Sequence, residues 1–308
     1  MLLPAVFVIG VVVRSLVFIM GRRLPHGLGT KTSPDFVLES LPVSPFVEKV
    51  RFVLDNIDGL SYSEECDYGV VMMFRASSVP ALHWCRAGSW AVSTISSSRD
   101  AAEYLAGRYP DAQFLQRPAS MSAEEVQAFE TLTDEACEAM RRLIYHHVLV
   151  VTPLDCIRVL WGSNDARVPA WQRAIGPVIL PMQKAMLIKA FRLTAPNCRS
   201  KCSARLVELF DLFWARIDKS KHKTVADTEQ PHKLDFYVAC AVAMATESRE
   251  YALSCPDSFG EAVTKDMVEL AKDIAPLKRH PIAAWAEAIY KKHRHHGRNN
   301  VNSKPKAL

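Results

Sequence analysis

The chain has 308 residues, 49% of them hydrophobic and 23% charged. That is room for two domains and enough apolar side chains to bury a full core, so a disordered protein is excluded. The formal charge is +5, with no dense basic stripe interleaved with aromatics, and a nucleic-acid partner is not expected.

Residues 2–20 form an almost unbroken apolar run in which Arg14 is the single charge. A run of this length is close to the roughly twenty residues that span a bilayer. One central Arg costs about 2.5 to 3.5 kcal/mol on insertion scales, which the surrounding Leu, Val, Ile and Phe offset. Arg22, Arg23 and Lys31 follow the run and no Lys or Arg precedes it, which puts the downstream chain on the cytoplasmic side. The expectation is a transmembrane helix, with residues 1–22 as anchor or targeting segment and 23–34 as linker. The alternatives are a cleaved signal peptide, which would want a basic start and small residues at the cut, and an organellar presequence, since residues 1–34 hold arginines and no acid.

Phe36 to Leu41 reads as a short strand, after which the period changes. Apolar residues at 46, 47, 50, 53, 54 and 57 mark one stripe of a helix. Ser44 falls at its N-cap and Pro45 at its first position, where a missing N–H costs nothing. The first amides of such a helix lack internal partners and carry roughly half a positive charge, so an anion or thiolate is stabilised there. Plain capping is the alternative role of Ser44. Next come the apolar run Val70 to Phe74, then Ser78-Val79-Pro80-Ala81-Leu82, where a cis proline would precede a strand. Ser97 to Asp100 is an S-x-x-D start of a further helix.

Strand, Ser-Pro helix start, Val-Pro strand and Ser-capped helix, in this order, resemble the glutathione transferase superfamily. Ser44-Pro45-Phe46-Val47-Glu48-Lys49-Val50-Arg51 is similar to the start of that family's first helix, closest to the omega-like classes but with Ser in place of Cys. Ser78-Val79-Pro80-Ala81-Leu82 resembles its cis-proline strand. Ser97-Ser98, with Tyr104-Leu105 six and seven residues after the second Ser, resembles its Glu/Asp-Ser pair; Ser97 stands where an acid is usual. The loop from His83 to Thr94 is longer and more aromatic than in the family.

The resemblance implies a thioredoxin-like α/β domain over residues 35–110 and an all-α domain over 120–293. It implies glutathione as co-substrate and an apolar electrophile as acceptor. Ser44 would donate to the glutathione sulfur, aided by the amides of Phe46 and Val47. Val79, before cis Pro80, would pair with the glutathione backbone, and Ser97 with Ser98 would take the γ-glutamyl end. A homodimer is compatible with it. The alternative is a non-catalytic scaffold or membrane-docking module of the same fold. A thiol reductase is disfavoured, because no cysteine stands at position 44.

After a polar linker through Ser120, helical signals dominate. Ser122 to Glu125 is a capping box. Leu206, Leu209, Phe210, Phe213, Trp214 and Ile217 follow a helical period, and Leu234 to Met244 is apolar nearly all round. Asp235 matches the Asp of the family's S/T-x-x-D cap, but His232 replaces the Ser or Thr, so a weaker cap is expected. His280-Pro281 to Trp285 resembles the family's closing segment. The eight cysteines suggest reduced intracellular thiols without a zinc site, even at Cys198 and Cys202. His146 and His147 diverge by about 100° on a helix and cannot share a metal. Residues 294–308 are expected to be a disordered basic tail.

Overall fold

The computed structural model describes residues 34–41, 44–66, 79–85, 92–151, 168, 170–246, 268–294 and 299–301, and all that follows concerns these. The first unit runs β1 (Phe36–Ser40), α1 (Pro45–Asp55), β2 (Tyr62–Cys66), β3 (Ala81–Cys85), β4 (Val92–Ile95) and α2 (Ser98–Arg108). The strands form one sheet in the order β2-β1-β3-β4. β1 and β2 are parallel, while β3 is antiparallel to both β1 and β4. This is a thioredoxin-like arrangement. One sequence assignment changes here: the ends of the expected 83–94 loop are strand, with His83 paired to Thr94. The 70–74 run lies outside the described residues.

α1 belongs to two cores at once. Val47, Val50, Val53, Leu54 and Ile57 pack with Phe36, Leu38 and Leu82 of the sheet. Phe52, on another side of the helix, stacks on Phe236 at 4.9 Å and meets Tyr290 edge-on at 4.8 Å. These partners come from the second unit, which holds α3 (Ala123–Tyr145), α4 (Ala170–Ala190), α5 (Cys198–Lys219), α6 (Lys233–Thr246), α7 (Val268–Lys278) and α8 (Pro281–His293). α3 opens with the full reciprocal box, Glu125 N donating to Ser122 Oγ at 3.2 Å and Ser122 N to Glu125 Oε2 at 2.7 Å. α6 is buried from Leu234 to Ala245, as its unbroken apolar run requires.

The α6 cap is stronger than the sequence comparison implies. His232 Nδ1 accepts from Leu234 N at 3.2 Å, and its Nε2 bonds the Gln116 carbonyl at 2.8 Å. Asp235 accepts from His232 N at 2.8 Å and from Val225 N at 2.7 Å. The imidazole therefore does what a Ser hydroxyl would do, and it also ties the linker to the helical unit. Accepting at Nδ1 needs a neutral ring, and burial, outweighing the Gln116 bond that favours the charged form, pushes the His232 pKa down to about 4.

Behind α1 runs a chain of buried charges. Ser40 Oγ donates to Glu64 at 2.6 Å, and Arg51 bridges Glu64 (3.2 Å from Nε) and Glu48 (2.9 Å from Nη1). Arg294 continues it, with Nε 2.7 Å from Glu48 and Nη1 on Asp55, which also accepts from the Tyr62 hydroxyl at 3.0 Å. Burial alone would raise the Glu48 pKa, but Arg294 and Arg51 outweigh it and hold the carboxyl below its usual range. Signs alternate along the chain, so each buried ion faces opposite charges.

Two expectations are corrected here. The tail from residue 294 is not wholly disordered: Arg294 is buried in this charge chain, and Asn299 to Val301 lie along β2. The expected transmembrane helix is withdrawn as well. Among the described residues no helix is long and apolar enough to cross a membrane. α6 is apolar all round but has 14 residues, short of the roughly twenty a span needs. α4 has 21 but carries Arg173, Lys184 and Lys189. Residues 2–20, on which that expectation rested, lie outside the described residues; among the described residues there is no membrane-spanning helix, and the membrane-anchored location, cytoplasm-facing or organellar, is withdrawn with it.

Arg294→Ala should cost about 3 to 5 kcal/mol in chemical denaturation, because it strands Glu48 and Asp55. Arg205→Ala, at a surface pair, should leave the midpoint unchanged. For His232, the folded pKa near 4 lies below its ordinary 6.5, so its contribution is complete above 6.5 and is lost as pH falls toward 4. Relative to His232→Asn, which caps without titrating, the wild type should lose roughly 3 kcal/mol across that window. A flat difference between the two proteins would contradict the neutral-ring cap.

Candidate functional site

The registers bring three sequence-predicted stretches to one end of the sheet. β3 opposes β1 and β4 opposes β3, so β4 runs in the direction of β1. Glu39, near the end of β1, faces Ala81 at the start of β3, and Leu82 faces Ile95 at the end of β4. Ser44 after β1, Val79-Pro80 before β3 and Ser97-Ser98 after β4 therefore share that end. The Val79-Pro80 bond is cis.

Ser44 is the N-cap of α1, its Oγ accepting from Val47 N at 3.4 Å. Accepting leaves the hydroxyl proton available to donate, but the residue is only 9% exposed. Phe46 is half-buried on the helical side, with Lys49 Nζ and the Arg141 guanidinium each 5.3 Å from its ring centroid. Val79 touches both cores, and Pro80 is buried. Ser97 caps α2, accepting from Asp100 N at 3.3 Å. Ser98, the first residue of that helix, is buried.

An ionic seam beside these residues escaped the sequence reading. Lys49, fully buried, places Nζ 2.7 Å from Asp134 of α3 and 4.9 Å from the Tyr237 ring centroid. Burial pulls its pKa down, and the neighbouring Cys137 and Asp134 pull it up further. Cys137 is itself pushed up by burial and stays a thiol, so Asp134 carries the charge that keeps Lys49 protonated. The other Asp134 oxygen is 2.9 Å from Arg99, the residue after Ser98. Arg99 also reaches Glu130 at 3.5 Å, and Lys233 of α6 meets the same Glu130 at 2.8 Å. One carboxylate thus joins the starts of α1 and α2 to the helical unit. Lys49 lies three residues after Phe46 and four before Val53 of the apolar stripe, and a cation at that spacing is the one signal that could have pointed to it.

Other candidates fall elsewhere. A recess lined by His146, Asn197, Cys198, Arg199, Ser203 and Asp273 lies at the start of α5. Its carboxylate is spent on Arg199 (2.9 Å) and His147 (2.9 Å). The His146 and His147 rings stand nearly perpendicular, 5.7 Å apart. Cys198 and Cys202 are buried, and burial with the adjacent Cys198 pushes the Cys202 thiol up to about 11. Among the described residues no cluster of three or more metal-ligating side chains occurs. Trp84 stacks on Tyr104 at 4.3 Å in the sheet core.

No family model and no curated protein sequence matches the chain. Among solved structures, it is similar to a glutathione S-transferase from Methylobacterium radiotolerans in complex with glutathione sulfonate, at 12% identity and TM-score 0.43, over 89% of this chain and 99% of that one. It is similar to a maleylacetoacetate isomerase from Anaeromyxobacter dehalogenans with glutathione bound, at 17% identity and TM-score 0.41, over 89% and 98%. A glutathione S-transferase III in its apo form gives 16% identity and TM-score 0.41, over 82% and 95%. The thioredoxin-like character of the first unit stands on its own strand order, registers and cis Val79-Pro80 bond.

Asp134→Ala leaves the Lys49 ammonium buried without its carboxylate and should cost about 2 to 4 kcal/mol. Lys49→Met removes that charge and should cost less. The reverse order in urea denaturation would show that Asp134 does not serve to neutralise Lys49.

Proposed function

We propose that the chain binds glutathione across the shared end of the sheet and activates its thiol at the start of α1. The observation that carries this reading is the meeting, at one sheet end, of a Ser-Pro helix start, a cis Val-Pro bond and a Ser-capped helix. Val79 would pair through its main chain with the peptide. Ser97 and Ser98 would take the γ-glutamyl end, and the partly exposed guanidinium of Arg99 beside them suits a carboxylate. The Ser44 hydroxyl would donate to the sulfur, and the Phe46 and Val47 amides would add the positive end of the helix, favouring the thiolate. That thiolate would attack a small apolar electrophile packed on Phe46, its sulfur forming the new bond to carbon as the leaving group departs from the acceptor with its electron pair.

A second reading has its own support. Ser44 is nearly buried, and Ser97 stands where the resembled family uses an acid. Both favour a protein that keeps the fold without the chemistry.

Binding to immobilised glutathione and conjugation to an aryl halide separate the two. The wild type should bind and conjugate. Ser44→Ala should still bind, while conjugation and the ultraviolet signal of bound thiolate fall about 100-fold, as for loss of one preorganised donor. Folded wild-type protein that neither binds nor conjugates glutathione overturns the proposal in favour of the non-catalytic reading.

A further inference from the structure

The C-terminal residues hold α1 and β2 in two separable ways. Arg294 is a lock, buried between Glu48 and Asp55. Beyond it, Asn299 to Val301 form a light arm. Tyr62 N donates to Asn299 O and Val301 N donates to Tyr62 O, each at 2.8 Å, so Asn300 bridges Tyr62 in parallel. The Asn299 side chain donates both its N–H bonds to the end of α1, at 2.8 Å to Leu54 O and 2.9 Å to Ile57 O. Leu54 O is one of the carbonyls that a helix end leaves without an intrahelical partner, and Ile57 O lies in the turn that follows. The arm buries no large apolar side chain: Val301 is 60% exposed, and Asn299 and Asn300 are half-buried.

We propose that the outer edge of β2 and the carbonyls of Leu54 and Ile57, at and just after the end of α1, make a slot for one extended strand bearing an Asn amide. Residues 299–301 fill it in cis, and the same residues of a second copy fill it in trans. The slot asks for an N–H and a C=O on either side of one bridging residue, plus two donors aimed at two carbonyls. A primary amide supplies two donors from one nitrogen, which Asp and Ser cannot do. Strand addition at a sheet edge is a main-chain interaction, so any copy of this segment satisfies it. Arg294 is anchored independently, so the arm can leave without breaking the charge chain behind α1. Reciprocal exchange of arms gives a closed two-fold pair.

The test uses the full chain and its Asn299→Asp form, which sets a carboxylate against the two carbonyls. Hydrogen exchange at the Tyr62 amide should speed up at least tenfold in the variant, with the melting temperature little changed. A fluorescent peptide of residues 297–303 should bind the variant at least tenfold more tightly than the wild type and restore Tyr62 protection. The same peptide with Asn299→Asp should not bind. Wild-type chains at high concentration should form dimers that the variant does not. Val301→Pro, which removes the N–H reaching Tyr62 O, serves as a second opening variant. Unchanged Tyr62 exchange in both variants would overturn the slot. An opened slot that takes no peptide, or wild-type chains that never pair, would overturn occupancy in trans.

Discussion

The molecule depends on one eleven-residue helix in which every residue but Phe46 is buried. α1 turns an apolar stripe to the sheet, Phe52 to the helical core, and Glu48, Arg51 and Asp55 to a third surface. Three carboxylates and two guanidiniums are removed from water there, and isolated charges in such a place would cost several kcal/mol each. Only strict alternation of sign, closed by Arg294 from 239 residues beyond Asp55, makes the arrangement tolerable. The far end of the chain thereby becomes part of the seat of its first helix.

That seating fixes where the N-terminal end of the helix points. With the back of α1 held by Arg294 and its side held by Lys49 and Asp134, its first turn cannot move independently of either unit. The cis Val79-Pro80 turn and the start of α2 reach the same end through strand register alone. Main-chain geometry and two ionic seams therefore set the candidate site, and the side chains of Ser44, Phe46, Ser97, Ser98 and Arg99 give it its chemical character. Imidazole capping recurs in the scaffold: His280 accepts from Ile282 N at 3.2 Å at the start of α8, as His232 does for α6.

Legibility in the sequence follows range. Local rules located the α1 start, the α2 and α3 caps and the cis Val79-Pro80 turn, because each is decided within a few residues. The fully apolar α6 was legible for the same reason. β2 was not, since Tyr-Ser-Glu-Glu-Cys lacks a clean alternation; Glu64 is buried only because Arg51 and Ser40 meet it. The spacing of Glu48, Arg51 and Asp55 at i, i+3 and i+7 did mark one helix face. Such a stripe ordinarily faces water, and its partner Arg294 sits in a stretch that composition alone assigns to a solvated tail. The His232 cap was underrated because pattern matching compares residue names, whereas the helix needs only an acceptor in the right place.

The most direct measurement is a glutathione titration of isotope-labelled protein followed by amide chemical shifts. The account predicts saturable shifts gathered at Phe46 and Val47, at Val79 and Ala81, and at Ser97 to Asp100, with β2 and the C-terminal residues unmoved. Shifts confined to the α5 recess, or none at millimolar glutathione, would contradict it.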